Sequence, residues 1–280
     1  MIHFGSHTSK LAPRPEIAGQ RIAPQPDAGG GNERPYQALA ARYDAVMEHV
    51  NHMGWAAYVE KLWKLHGLNP KRLLETGAGT CRLAPYLAKK GRRHVATDLS
   101  HPMLWQGLHR AREIACCDFR ALPFKDKSFD AVLCLYDAVN YCLERSDLDR
   151  FFAEAERVLM PGGSLLADVT TATNSRRHFL DTTSHEELDG VHVVRRSWYE
   201  TDERIQHNDF HFFSPNGDGT FRLEREEHSQ RVWALKEFDR ASAAAGLVRV
   251  AAYDDDYSTS SATSERIHLL FMKPKVRRGK

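Results

Sequence analysis

The chain lacks any apolar run approaching the roughly 20 residues that a helix needs to cross a bilayer. Its first residues, MIHFGSHTSK, lack the charged start and apolar core of a secretion signal. Net charge is nearly absent too. Lys and Arg number 39 against 37 Asp and Glu, a formal +2 over 280 residues, so there is no global electrostatic pull toward nucleic acid. Cysteine is scarce and badly spaced for structural chemistry. The five, Cys81, Cys116, Cys117, Cys134 and Cys142, are odd in number and form no C-x-x-C pair, which argues against both a disulfide framework and a zinc clip. No internal repeat is visible. The expectation is a cytoplasmic protein with free thiols and no nucleic-acid, membrane or metal partner.

What is present is an ordinary globular composition, 42% hydrophobic and 27% charged, in a chain long enough for one large domain or two small ones. Residues 1–33 are rich in Pro, Gly and polar residues and bury too little apolar surface to repay ordering, so they read as a flexible tail. From Tyr36 to Leu65, apolar and aromatic residues recur at helical spacing, which predicts two helices broken near Asn51–Gly54. Short apolar strands then alternate with helices: strands at 72–75, 94–98, 114–117, 129–135 and 164–169, and helices through Leu83–Leu87, after Ser100 and over Leu148–Leu159. Ser100 suits an N-cap with Pro102 in the first turn, and Pro161-Gly-Gly163 is expected to separate a helix from the next strand. This alternation predicts an α/β fold with a mostly parallel central sheet, covered by helices on both faces. After Thr170 the pattern changes to a β meander over 191–200, 204–213 and 221–233. A helix over 235–245 ending at Gly246 follows, then a closing antiparallel pair at 247–253 and 267–272. The expected division is a cofactor-binding core over 34–173, a β-rich insertion over 174–233 and the end of the core over 234–280.

The residues that carry chemistry stand at the ends of successive strands. Glu75-Thr-Gly77-Ala-Gly79 follows the first strand, where glycines permit positive φ and close approach of a ligand to the backbone. A dinucleotide site of the G-x-G-x-x-G type is the rival reading. Arg82 occupies its third glycine position, where tight helix–strand packing wants a small residue. Glu75 would also set a carboxylate near a pyrophosphate, whereas a ligand bearing an ammonium and a sulfonium suits that acid. Asp98 ends the second strand, placed to accept both hydroxyls of a ribose, a role common to both cofactors. Asp118-Phe119 follows the third strand, where a carboxylate can accept from an adenine amino group. Leu122-Pro-Phe124, Ser128-Phe129-Asp130-Ala-Val132 and Leu159-Met-Pro-Gly-Gly163 come next.

In that order and spacing these segments resemble the class I S-adenosylmethionine-dependent methyltransferase family, over about residues 36–170 with a fainter echo at 235–273. The resemblance implies a Rossmann-like fold, S-adenosylmethionine as cofactor, and a residue-by-residue site. Gly77, Ala78 and Gly79 would line the methionyl part; Asp98 would hold the ribose, with Leu99 and Met103 near the adenine. Asp118 and Phe119 would cap the adenine's far end, and Tyr136 would face the cofactor from the sheet's carboxyl edge. Tyr43-Asp44 with Trp55 resembles the leading helices of small-molecule members, with the Tyr43 ring favouring the sulfonium. Thr76 and Ala78 replace the usual Leu and Cys of the glycine loop, both small enough to keep it open.

Methyl transfer is an in-line displacement, so alignment and exclusion of water matter most, and a base is useful only where the acceptor must lose a proton. Tyr136, Asp137, Asn140 and Tyr141 are the candidates near the methyl. Asp137 would accept a proton or steer a cationic amine, while Asn140 and Tyr141 would orient the acceptor. The competing reading makes Asn140 a turn cap and Tyr141 a packing residue, and both stay open. Asp254-Asp-Asp256 lacks the spacing of a hard-cation loop, and His207 and His211 on one strand lie roughly 13 Å apart at about 3.3 Å per residue. The insertion is rich in aromatics, from Trp198 and Tyr199 through Phe210, His211, Phe212 and Phe213 to Trp233, which would either wall the acceptor pocket or form the insertion's own core. Three functions follow. The first is N- or O-methylation of a small molecule. The second is methylation of nucleic acid, disfavoured by Tyr136-Asp-Ala-Val139 where an Asn-Pro-Pro-Tyr-type tetrapeptide belongs. The third is non-catalytic binding of the cofactor. The insertion also leaves room for a homodimer contact.

Overall fold

A computed structural model describes residues 35–89 and 91–275; the tail expected over 1–33 lies outside them. The described residues open on a 3-10 turn at Leu39–Ala41, a short helix α1 at Tyr43–Val46 and a longer one, α2, at His52–Leu65. The break falls at 47–51, and Asn51 begins α2 by accepting from the Gly54 amide at 2.8 Å. The α/β alternation then runs β1 (Arg72–Thr76), α3 (Ala84–Leu87), β2 (Arg93–Asp98), α4 (His101–Gly107), β3 (Glu113–Cys116) and β4 (Phe129–Cys134). A 3-10 turn (Ala138–Tyr141), α5 (Arg145–Val158) and β5 (Leu159–Thr170) complete it. Ser100 caps α4 by accepting from the Met103 amide at 3.3 Å. Pro161-Gly162-Gly163 does not separate α5 from its strand as expected. The helix ends at Val158 and β5 starts at Leu159, with Gly162 taking φ +83° inside the strand's first turn of chain.

After β5 come α6 (Ala172–His178), β6 (Asp181–Leu188), β7 (Val191–Glu200), β8 (Ile205–Pro215) and β9 (Phe221–Arg231). The chain closes with α7 (Leu235–Ala245), β10 (Val248–Tyr253) and β11 (Arg266–Met272). Sequence patterning anticipated β7, β8 and β9 but neither α6 nor β6. The reason for the second is plain: β6 is an edge strand exposed along almost its whole length, so no apolar alternation marks it. Gly246 ends α7 at φ +89°, as its sequence position implied.

The seven-stranded sheet has the order β10-β11-β5-β4-β1-β2-β3, with β11 antiparallel to both its neighbours and the other contacts parallel. Alternation along each strand divides two cores. Leu74, Val132, Leu165 and Phe271 pack against α5 and α7, and Leu73, Leu133, Leu166 and Leu270 pack on the other face against α2 and α3. Strand order reverses between β1 and β4, which opens the crevice at their carboxyl ends where open α/β sheets take ligands. The four-stranded antiparallel sheet β6-β7-β8-β9 stands apart. Its Val191, Val193, Phe210 and Phe212 pack against Leu39, with Tyr36, Tyr43 and Val46 beside them. The chain segment before α2 is thereby held between the two sheets. All five cysteines are free, and no described helix is long and apolar enough to cross a membrane.

Candidate functional site

The glycine loop forms the floor. Gly77 and Gly79 take φ of +65° and +54°, a left-handed conformation that strains side-chain-bearing residues. A Cβ on Gly77 would stand 2.7 Å from the Ala138 Cβ; one on Gly79 would stand 3.1 Å from the Met103 Cε and 4.0 Å from the Tyr43 ring. Gly77, Gly79, Met103 and Tyr43 therefore converge around one cradle that side chains would fill. Asp98 completes it at the end of β2. One oxygen accepts from the Gly79 amide at 2.7 Å and the other from the Ser100 amide at 2.8 Å. Burial pushes its carboxyl up to about 6, the two amides opposing the rise. Leu99 is 49% exposed, and Ala78 packs against the small cluster that includes Cys81 and Leu104. Glu75 is buried on β1 with an oxygen 2.8 Å from Nε2 of the buried His94 on β2, a neighbour that nothing in the motif announced.

The segment carrying Tyr43 is tied to the loop by Asp44. Its carboxylate accepts from the Thr80 hydroxyl at 2.6 Å and pairs with Arg110 at 2.6 Å. Arg82, the residue that displaces the third glycine of a dinucleotide loop, donates to the Asp44 carbonyl at 3.0 Å. Burial drives the Tyr43 phenol up, with Asp137 and Asp98 adding to the rise; it remains a neutral donor facing both carboxylates.

At the far end of the crevice Asp118 is gripped by Arg120, which donates through Nε at 3.0 Å and through a terminal nitrogen at 2.6 Å. Arg120 also reaches Asp147 of α5 at 2.8 Å. Burial raises the Asp118 carboxyl, but the Arg120 bonds outweigh it and the net shift is downward. The Phe119 ring lies edge-on to Phe151 of α5 at 5.2 Å, within the core on that face.

Beyond β4, Tyr136 and Asp137 take consecutive left-handed conformations, φ +58° and +49°, two strained residues in the crevice. The Tyr136 ring packs 4.6 Å from Trp55, and its hydroxyl is buried with no hydrogen-bond partner among the described residues. Asp137 is not an unengaged base: it pairs with Arg266 at 3.0 Å and accepts from Gln230 Nε2 at 2.7 Å. Arg266 also pairs with the fully buried Asp168, which accepts from the Asp137 amide at 3.0 Å. Asn140 is fully buried, donating to the Arg231 carbonyl at 2.7 Å and accepting from the Thr170 amide at 3.2 Å. Both ends of its amide bond backbone far away in the chain, so it ties the 3-10 turn to β5 and the end of β9 rather than capping a turn.

A chain of polar side chains that sequence patterning passed over borders the same crevice. Glu226 of β9 accepts from the amides of Tyr36, Ala38 and Leu39 at 2.6, 2.6 and 3.1 Å. It also bonds Nε2 of His228 at 2.6 Å. Nδ1 of His228 lies 2.7 Å from the Tyr141 hydroxyl, which lies 2.9 Å from that of Tyr36. Tyr36 stands edge-on to Tyr43 at 5.7 Å, and its carbonyl accepts from the Ser100 hydroxyl. Of the insertion's aromatics, Phe210 and Phe212 are buried core, Trp198 stacks on His207 at 4.7 Å, and Trp233 donates to the Cys142 carbonyl. Asp254, Asp255 and Asp256 are turn and strand-end groups: Asp254 accepts from Ser264, Asp255 bonds His268 and Asp256 accepts from the Ser258 amide.

Comparison with known proteins gives a consistent picture. Residues 74–167 match the family described as "Methyltransferase domain". The chain is 31% identical over 248 residues to a Bacillus subtilis (strain 168) protein named "Putative methyltransferase YqeM", covering 86% of this chain and 98% of that one. Among solved structures, an S-adenosylmethionine-dependent methyltransferase from Clostridium acetobutylicum ATCC 824 superposes with TM-score 0.73 at 21% identity, over 85% of this chain and 99% of the other. The sugar N-methyltransferase KedS8 from Streptoalloteichus sp ATCC 53650 superposes with TM-score 0.70 at 18% identity, over 92% and 100%.

Proposed function

The chain belongs to the class I S-adenosylmethionine-dependent methyltransferases, and from that premise we propose that it methylates a nitrogen or oxygen of a small molecule. The observation that carries the reading is the closure of the crevice. The segment bearing Tyr36 and Tyr43 is clamped between the glycine loop and the antiparallel sheet by Asp44 on one side and Glu226 on the other. A crevice bordered by a segment tied down on both sides suits a compact acceptor and limits water at the displacement. The fold shared with a sugar N-methyltransferase supports the same class of acceptor.

The cofactor supplies an electrophilic methyl on a sulfonium. In this reading Gly77 and Gly79 let the backbone approach its methionyl part, Glu75 lies behind them, and the Tyr43 ring faces the cationic sulfur. Asp98 receives the ribose hydroxyls, Met103 and Leu99 flank the adenine, and Asp118 with Phe119 closes its far end. Tyr136 and Asp137, at the switch point of the sheet, border the acceptor side. Asp137, held by Arg266 and Gln230, positions rather than deprotonates.

Calorimetric titration with S-adenosylmethionine and its demethylated product, beside NAD, tests the cofactor half. Micromolar binding of the sulfur compounds, lost in Asp98→Ala, is expected; binding of NAD alone would overturn it. Formation of S-adenosylhomocysteine with a panel of small amines and alcohols, and none with RNA or DNA, tests the acceptor half.

A further inference from the structure

We infer that His228, oriented by Glu226, is the proton acceptor of the reaction, reached from the acceptor through the hydroxyls of Tyr36 and Tyr141. The inference rests on the small-molecule N- or O-methylation proposed above and names the group that removes the acceptor's proton.

The Glu226 carboxylate fixes the direction of the first hydrogen bond in the chain, and we assign the rest from it. Burial works against ionisation of Glu226, but His228 and the amides of Leu39 and Tyr36 outweigh it and hold the carboxyl low. As a carboxylate it only accepts, so Nε2 of His228 carries the proton that it receives. In the relay as proposed Nδ1 is left bare, so that the Tyr141 hydroxyl donates to it and accepts from Tyr36. Burial raises both phenols well above their ordinary range, so each stays an intact O–H that passes a proton on rather than losing one outright. The chain ends on the Tyr36 oxygen, which has no other partner among the described residues and keeps a lone pair for an N–H or O–H of the acceptor. The dyad is sealed, with Glu226 1% and His228 3% exposed, while Tyr36 and Tyr141 are less completely buried and Tyr36 stands beside Tyr43 at the glycine loop. That is the layout of a base kept out of water and reached through phenols.

The step balances. As the acceptor atom bonds the methyl carbon, the carbon–sulfur bond breaks with its electron pair left on sulfur. The acceptor's proton goes to the Tyr36 oxygen, that of Tyr36 to Tyr141, and that of Tyr141 to Nδ1 of His228. The positive charge lost by the sulfonium reappears on the imidazolium, facing Glu226. The groups packed around His228 are Glu226 on its own strand, Asn208 opposite on β8, the Phe210 ring, Tyr141 from the 3-10 turn and Tyr36 from the leading segment. Asp137 faces the phenols from the end of β4.

Nitrogen-15 NMR of the full chain, labelled at histidine and saturated with S-adenosylhomocysteine, tests the wiring without any acceptor. The His228 resonances, identified by their absence in H228Q, are expected to show a protonated Nε2 and a bare Nδ1, with the Nδ1 signal displaced in Y141F. A proton on Nδ1, or no displacement in Y141F, overturns the proposal. The rate arm uses 3-amino-3-deoxyglucose as the probe. H228Q and Y141F should each lower kcat roughly 100-fold, the double variant should lose little more, and S-adenosylmethionine affinity should stay within about twofold. A kcat within about threefold of wild type in H228Q refutes the relay. Wild type that binds S-adenosylmethionine but leaves the probe and a wider amine and alcohol panel unmethylated refutes the acceptor reading instead, and the NMR arm still decides the wiring.

Discussion

Replacing Asp98 by Asn separates what the site needs from what the fold needs. Burial raises this carboxyl from an ordinary 3.8 to about 6. A difference of about 2 pH units, at about 1.4 kcal/mol each, means that the ionised group costs the fold about 3 kcal/mol at neutral pH. Because the folded-state value is the higher one, the folded protein holds a proton between pH 3.8 and about 6 that the unfolded chain has released. The group's contribution is fully present below the unfolded value and is lost as pH rises through about 6. Asn has the same shape and no charge, but its amide nitrogen must face either the Gly79 or the Ser100 N–H. That mismatched donor returns about 1–3 kcal/mol. At pH 7.5 the variant should therefore be as stable as wild type or up to about 2 kcal/mol more stable. Near pH 4 it should be the less stable of the two by about 1–3 kcal/mol. Urea unfolding across that range, read as the difference between the two proteins, cancels the opposite pH response of the carboxyls held low, such as Asp118, Asp130 and Glu226. A difference that does not change with pH, or a loss above about 2 kcal/mol at pH 7.5, would refute the reasoning. The same variant should bind S-adenosylmethionine about 100-fold more weakly, the worth of two charge-assisted bonds to the ribose at about 1.5 kcal/mol each. A residue that stabilises the protein when neutralised and weakens its ligand when neutralised is held there by function.

Arg266→Met leaves the fully buried Asp168 and its neighbour Asp137 without their shared cation, and should cost about 3–5 kcal/mol in urea at neutral pH. Burial already drives the Asp168 carboxyl up, so part of that loss should return as the pH falls and the acid protonates; a loss equal at every pH would contradict this. Asn140→Leu strands the Arg231 carbonyl and the Thr170 amide in the interior and should cost about 2–5 kcal/mol, read from the unfolding midpoint. Asp44→Ala releases the leading segment from Thr80 and Arg110. It should destabilise the whole by no more than about 1–2 kcal/mol yet speed tryptic cleavage at Arg42 markedly, and unchanged cleavage would show that Glu226 alone holds the segment.

What the sequence disclosed and what it withheld divide by how far the interacting residues lie apart in the chain. The sheet was legible because each strand announces itself locally: Leu73 and Leu74 point to opposite faces by alternation alone, and Ser100 and Gly246 mark helix ends by what their own backbones do. The glycine loop was legible for the same reason, since Gly77 and Gly79 are needed for conformations fixed within a few residues. Occupancy of a carboxylate by a partner is not local. Asp137 looked like a base until Arg266, 129 residues on, was found against it, and Asn140 looked like an orienting amide until Arg231 and Thr170 took both its ends. The Glu226 clamp joins residues 190 apart; an acid and a histidine two apart on an exposed-looking strand carry no motif, because their meaning comes from the segment that the second sheet folds down onto the first. Sequence thus nominates groups for the crevice, whereas the partners each of them meets are decided by tertiary neighbours. For a reaction whose only demand on side chains beyond alignment is the disposal of one proton, that second question is the one that selects the base.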